Sequence, residues 1–193
     1  MKMRDYVENI AALVPHDEKE AADQSLMLWY IRHFGNEVLT RQNRAAHITS
    51  AGFIMNPALE KTLMIHHNIR DTWAWTGGHA DGDSDMVAVA VREAMEETGV
   101  TSIAPLSPAI ASLDVLTVEG HVKRGEYVSA HLHLSVAYIL LCDETESLHI
   151  KPDENSGVQW FSVDDIKTPV FSAHDMYLYG KLARWARAQK GML

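Results

Sequence analysis

Two periods divide the chain. Apolar residues first recur at helical intervals: Tyr6, Ile10 and Leu13, then Leu26, Leu28, Trp29 and Ile31. Pro15-His16-Asp17 breaks this pattern and starts it again, with Asp17 and Glu20 spaced as an N-cap and its third residue. Gly35-Asn36 ends the second run. Residues 2–34 are therefore expected to be helical, forming an extension over residues 1–45 that packs on the main body or serves as a dimerisation arm or substrate lid. The polar stretch Leu39 to Arg44 then connects, its two arginines either solvated or in reach of a phosphate.

From His47 the period shortens to two. His47 to Met55 reads as a strand, Asn56-Pro57 as a turn and Lys61 to His66 as the hairpin partner. Trp73 and Trp75 alternate into Gly77-Gly78, either as core residues or as a platform that stacks a base. Further on, Ile110 to Val118 and Ser129 to Cys142 are strand-like, joined by the polar, glycine-containing loop Glu119 to Glu126, a candidate substrate-facing element. Lys151 to Gly157 is an acidic turn into the strand Val158 to Phe161; Ser162 to Asp165 starts a short helix, and Ala173 to Gln189 is an amphipathic helix. Mixed strands between helices place residues 46–193 in one α/β domain.

Composition narrows the function classes. With 193 residues and 47% hydrophobic content the chain can bury one good core. It has no apolar run long enough to span a membrane, and its first twenty residues lack the features of a signal peptide. The single cysteine, Cys142, excludes an intrachain disulfide and fits a reducing compartment, so the expected location is the cytoplasm. A net charge of −9, with no basic stripe beyond Lys123-Arg124, argues against long nucleic acids as partners. A small phosphorylated ligand stays open if a cation neutralises it locally.

The stretch with most chemistry is Gly77 to Val100, GGHADGDSDMVAVAVREAMEETGV. Read as a helix from Ser84 to Thr98, it gathers Glu93, Glu96 and Glu97 within an arc of about 100° and puts Val87, Ala88, Val91, Ala94 and Met95 opposite. Gly99 stands where a helix ends in positive φ. Like charges three and four residues apart repel, and only Arg92 is near to offset them. A divalent cation with hard oxygen ligands, shared with a phosphate, resolves that repulsion; a solvated acidic face is the alternative.

The same stretch resembles the Nudix box, G-x5-E-x7-R-E-U-x-E-E-x-G-U with U a bulky apolar residue. Gly78 opens it, Arg92-Glu93 and Glu96-Glu97 are its charged pairs, and Gly99-Val100 close it. Ser84 stands at the first glutamate and Ala94 at the first apolar position. The resemblance implies an α/β/α sandwich with a mixed sheet and a Nudix hydrolase cleaving the diphosphate of a nucleoside diphosphate linked to another group. It also implies Mg²⁺ or Mn²⁺ on Glu93, Glu96 and Glu97, with a backbone carbonyl of Gly77 or Gly78 completing the coordination. Arg92 would orient its neighbours, and Asp153 or Glu154 in the late acidic turn would add a metal carboxylate or a general base. Dimers are common among proteins of this kind, so a homodimer is an expected assembly.

Ser84 leaves a second reading open, a non-catalytic nucleotide-binding or regulatory module on the same scaffold. It also raises the question of which of Asp81, Asp83 and Asp85 replaces the missing carboxylate; serine itself can cap the helix. A third reading comes from His131 and His133, which share one strand face and are either polar cleft residues or ligands for a transition metal.

Overall fold

The computed structural model describes residues 5–123, 125–167 and 169–190. Residues 2–4 of the first expected helix and Arg124 of the expected loop lie outside them. Two helices come first, α1 (Asp5–Ala12) and α2 (Glu18–Phe34). Asp17 caps α2 by accepting the Glu20 N–H at 3.0 Å, and Gly35 ends it. Of the spaced apolar residues Tyr6, Ile10 and Ile31 are buried, but Met27 takes the inward place, while Leu26 and Trp29 are exposed.

The central sheet is mixed. Strand β1 (Ala46–Met55) pairs antiparallel with β2 (Lys61–His67) and β4 (Thr76–His79), and β3 (Thr72–Ala74) adds to β2. Helix α3 (Met86–Thr98) follows, then β5 (Ile103–Pro105) and β6 (Ser112–Val118). The expected loop at 119–126 is instead a hairpin, β7 (His121–Lys123) with β8 (Glu126–Val128), which exposes Val122 and Tyr127. Val122, Tyr127 and Val128 supply the strand preference that the glycine and the charges obscure. The long strand β9 (His131–Cys142) runs parallel to β1 from Ala46↔Leu132 to Met55↔Leu141 and carries β5 and β6 on its other side. Strand β10 (Asn155–Ser162) closes the far edge against β2, a 3-10 turn spans Val163–Asp165, and α4 (Ala173–Lys190) ends the chain.

Both sheet faces are covered, which is why β1 is buried along its whole length. One core holds Ile48, Ile54, Leu134, Val136 and Leu140 with residues of α1, α2 and α3. The other holds Phe53, Met55, Ile139 and Trp75 under Leu178, Tyr179 and Leu182 of α4. The result is the expected α/β/α sandwich with helices at its N-terminus. No described helix is long and apolar enough to cross a membrane.

The N-terminal helices are attached by charge as well as by apolar packing. Lys181 of α4 is 2% exposed, and its ammonium lies 3.0 Å from Glu20 Oε1 and 3.0 Å from Asp114 Oδ1. Glu20 also accepts the Leu113 N–H at 2.9 Å, and Asp23 accepts that of Val115 at 3.1 Å. These amides belong to the outer edge of β6, so two carboxylates of α2 satisfy donors that would otherwise be left unpaired. Removing the ammonium alone would strand the buried Glu20 carboxylate and leave Asp114 to the Lys19 ammonium 3.6 Å away. Lys181→Met is expected to lower the unfolding free energy by about 3–5 kcal/mol in urea titrations, with part of the loss recovered by adding Glu20→Gln and Asp114→Asn. A change within experimental error for Lys181→Met would show that the triad carries no such weight.

Candidate active site

Helix α3 is held at both ends. At its start Asp85, not Ser84, is the N-cap, accepting the Ala88 N–H at 3.1 Å. Asp83 in turn accepts the Asp85 N–H at 2.9 Å. Ser50 of β1 donates its hydroxyl to Met86 O at 2.5 Å, pinning the first turn to the sheet. At the C-terminus Gly99 adopts φ 77°, a left-handed conformation that side-chain-bearing residues avoid, and its N–H bonds Met95 O at 2.9 Å.

The buried side of α3 differs from the expected one. Met86, Val89, Ala90 and Ala94 face inward together with Glu97, whereas Ala88 and Met95 are exposed. The helix lies across the paired strands β1 and β4 and shares its core with the extension, so its inward arc is wider than one apolar stripe and takes in a carboxylate.

That carboxylate is the centre of the site. Glu97 is 3% exposed, and its Oε2 accepts the Gly77 N–H at 2.9 Å. Burial, with Glu154 and Glu93 nearby, pushes its pKa up to about 8 against the pull of the Gly77 amide. Glu93 lies against Gly78: a Cβ there would meet its two carboxylate oxygens at 2.5 and 2.7 Å, so the glycine makes room for the acid. Burial, followed by the charge of Glu96, raises the Glu93 pKa as well. Gly77 and Gly78 thus do different work, one through its amide and the other through its missing side chain.

The late acidic turn joins this group. Lys151 places its ammonium 3.0 Å from Glu96 and 2.9 Å from Glu154. Asn155, 1% exposed, donates to Glu97 O at 2.9 Å and ties the turn to the end of α3. Asp153 is exposed on the same turn; Glu154 is the acidic residue that the turn brings beside the α3 carboxylates. Lys151 and Asn155 were missed in the sequence, where they look like ordinary turn residues. Only a contact between segments some 55 positions apart distinguishes them.

The aspartates around Ser84 divide their roles. Arg92 reaches Asp83 at 3.7 Å and Glu93 at 3.5 Å, so Asp83 meets the arginine in the absence of a glutamate at position 84. Asp85 caps the helix, and Asp81 forms a two-pronged pair with Arg41, 2.9 Å from Nε to Oδ1. Arg41 therefore links the connection after α2 to the loop before α3 and is not a free linker charge. Among the tryptophans, Trp75 is buried with its ring edge-on to Tyr179, which removes it as a stacking platform. Trp73 is half-buried against Phe161.

Among the described residues, three glutamates of one helix, a fourth from a separate turn and a glycine segment thus converge, with Lys151 as a bridging cation. The chain matches the NUDIX domain family model over residues 46–179. Its fold is similar to a MutT protein from Methanosarcina mazei Go1, at 19% identity and a TM-score of 0.53, covering 77% of this chain and 98% of that one. It is also similar to a NUDIX family hydrolase from Clostridium perfringens, at 18% identity and a TM-score of 0.51, covering 72% and 96% respectively. A C. elegans Ap4A hydrolase aligns at 16% identity with a TM-score of 0.51, covering 76% and 98%. The box residues, the sheet that holds them and the family match agree: this chain belongs to the Nudix hydrolase family.

Proposed function

We propose that the protein is a divalent-metal-dependent hydrolase that cleaves the diphosphate linkage of a nucleoside diphosphate joined to another group. The observation that carries this reading is the gathering of Glu93, Glu96, Glu97 and Glu154 at one place, where burial and mutual repulsion already raise two of their pKa values. Such a hard-oxygen donor set fits Mg²⁺ or Mn²⁺. Glu93, Glu96 and Glu97 would hold the ion, with a carbonyl of Gly77 or Gly78. Bound there, it supplies Lewis acidity toward phosphate oxygens and lowers the pKa of water.

The chain's own residues then have distinct tasks. The Gly77 amide fixes the direction of Glu97, and Arg92 between Asp83 and Glu93 orients the latter. Lys151 balances Glu96 and Glu154. Glu154 is better placed than exposed Asp153 to take a proton from the attacking water, because it lies beside the α3 carboxylates. The substrate is a small nucleotide-derived molecule rather than a nucleic acid, consistent with the net charge of −9, and the proposed location is the cytoplasm.

Glu96→Gln and Glu97→Gln are each expected to lower kcat by about a hundredfold or more with Mg²⁺ across a panel of nucleotide and nucleotide-sugar diphosphates. Full activity in either variant would remove that residue from the site, and a wild-type protein that binds these ligands without turnover would favour a binding module. Gly78→Ala should displace the Glu93 carboxylate and weaken Mn²⁺ binding by about 10–100-fold, read by titration calorimetry; unchanged affinity would detach Gly78 from the metal site.

A pH dependence follows for the metal-free protein. Folded Glu97 keeps its proton up to about pH 8, while its ordinary pKa is 4.5. Between these values the native state binds the extra proton, so stability falls as pH rises through about 8. The depressed pKa values of His47 and His133 act in the opposite direction below their ordinary 6.5, in the lower part of this window, so the Glu97 contribution is read above it. From pH 6.5 to 8 in a chelator, the Tm of wild type should therefore fall more steeply than that of Glu97→Gln, the two curves becoming parallel above that. Curves parallel within that range too would mean that Glu97 is not buried as a neutral acid.

A further inference from the structure

A second cluster lies beside the carboxylates but on the opposite face of the sheet. In the register of β1 and β9, His47 stands directly opposite His133. His79 at the end of β4 stands opposite Thr49, on the same face as His47 two residues away. His131 and His133 alternate onto one face of β9. Gly78, by contrast, stands opposite Ser50, whose side chain turns toward α3. Three strands thus bring four imidazoles together where the sequence shows only the His131/His133 pair.

The ring geometry is that of a ligand set. One nitrogen from each of His47, His79 and His133 lies within 4.8 Å of the others. His131 Nε2 lies 3.2 Å from His133 Nε2, a hydrogen-bond distance that sets the fourth ring against this group. His47 Nδ1 lies 3.0 Å from Asn43 O, and His131 Nδ1 lies 2.9 Å from Ser129 O. A carbonyl can only accept, so both rings carry their proton on Nδ1 and present Nε2 as a lone pair. This is the arrangement in which a backbone carbonyl fixes the tautomer of a metal-bound histidine.

The lone pair of His47 is the telling one. His47 is 5% exposed, and its Nε2 is buried without a hydrogen-bond partner. A buried acceptor facing other imidazoles gains nothing from packing alone. Burial also lowers the pKa of His47 and takes that of His133 far below its ordinary value, which keeps both rings in the neutral form that a metal needs. The charged groups nearest the cluster, Arg41 and Asp81, are already paired with each other.

We propose that His47, His79 and His133, with His131 hydrogen-bonded beside them, form a transition-metal site of the zinc type, separate from the carboxylate site. Imidazole nitrogens suit zinc, cobalt, nickel or copper and disfavour magnesium, so the two clusters select different ions. The ion would clip β1, β4 and β9 together next to Gly77-Gly78. This assignment does not depend on the hydrolase reading.

The test uses untagged, chelator-treated protein titrated with Co²⁺ and Zn²⁺ in the presence of excess Mg²⁺. The expected result is one ion per chain, intense visible d–d bands for Co²⁺ as in tetrahedral sites, and a raised Tm with Zn²⁺. His79→Ala and His133→Ala should weaken binding at least about a hundredfold, while Glu97→Gln retains it. X-ray absorption of the zinc-loaded wild type, which needs no variant to fold, should show a first shell of imidazole nitrogens. An oxygen-only shell, weak octahedral cobalt bands, unchanged affinity in folded histidine variants, or loss of the site in Glu97→Gln would each overturn the proposal.

Discussion

Parallel pairing of β1 with β9 fixes the position of almost every group that matters, because a register error of one residue would turn each side chain to the other face. In the observed register Ser50 turns toward α3 and anchors its first turn. Thr49 to Gly52 align β4, so that Gly77 and Gly78 meet the carboxylate half of the same helix. His47 falls opposite His133. Carboxylates on one face and histidines on the other are thus consequences of the pairings of β1 with β9 and β4, secured by apolar cores on both sides.

Charge is handled differently in two parts of the molecule. Around Lys181 the buried carboxylates of Glu20 and Asp114 are compensated by that ammonium and Lys19, by the amides of His16 and Leu113, and by the Ser112 hydroxyl. That network joins the N-terminal helices, β6 and α4, and its satisfied geometry suits a structural role. At the end of α3 compensation is incomplete: Glu97 has one amide, Glu93 has a distant arginine, and Lys151 is shared between Glu96 and Glu154. Residual repulsion of this kind favours added positive charge.

The departure at Ser84 has a local answer. An aspartate one residue earlier meets Arg92, and an aspartate one residue later caps the helix. Asp83 and Asp85 divide these two contacts between them. Such a division depends on the backbone between Ala80 and Asp85, where the Asp83 N–H bonds back to Ala80 O at 2.9 Å and brings the Asp83 side chain toward the helix.

Local patterns in the sequence carried the mixed α/β class, the helical extension, most strand positions, the Asp17 cap, the Gly99 terminus and the carboxylate face of α3, because period, capping and spacing are short-range properties of the chain. They did not carry the inward turn of Glu97, the burial of Met27 in place of Leu26, or the hairpin at 121–128. Each of these depends on what packs against the element, and helical periodicity alone does not locate its neighbours. Lys151, Asn155 and Arg41 gained their partners through contacts far apart in sequence, and His47 and His79 met His133 only through strand register. A residue's type and spacing say what chemistry it can do; which residues share a few cubic ångströms was decided when β1 chose β9 and α3 settled across β4.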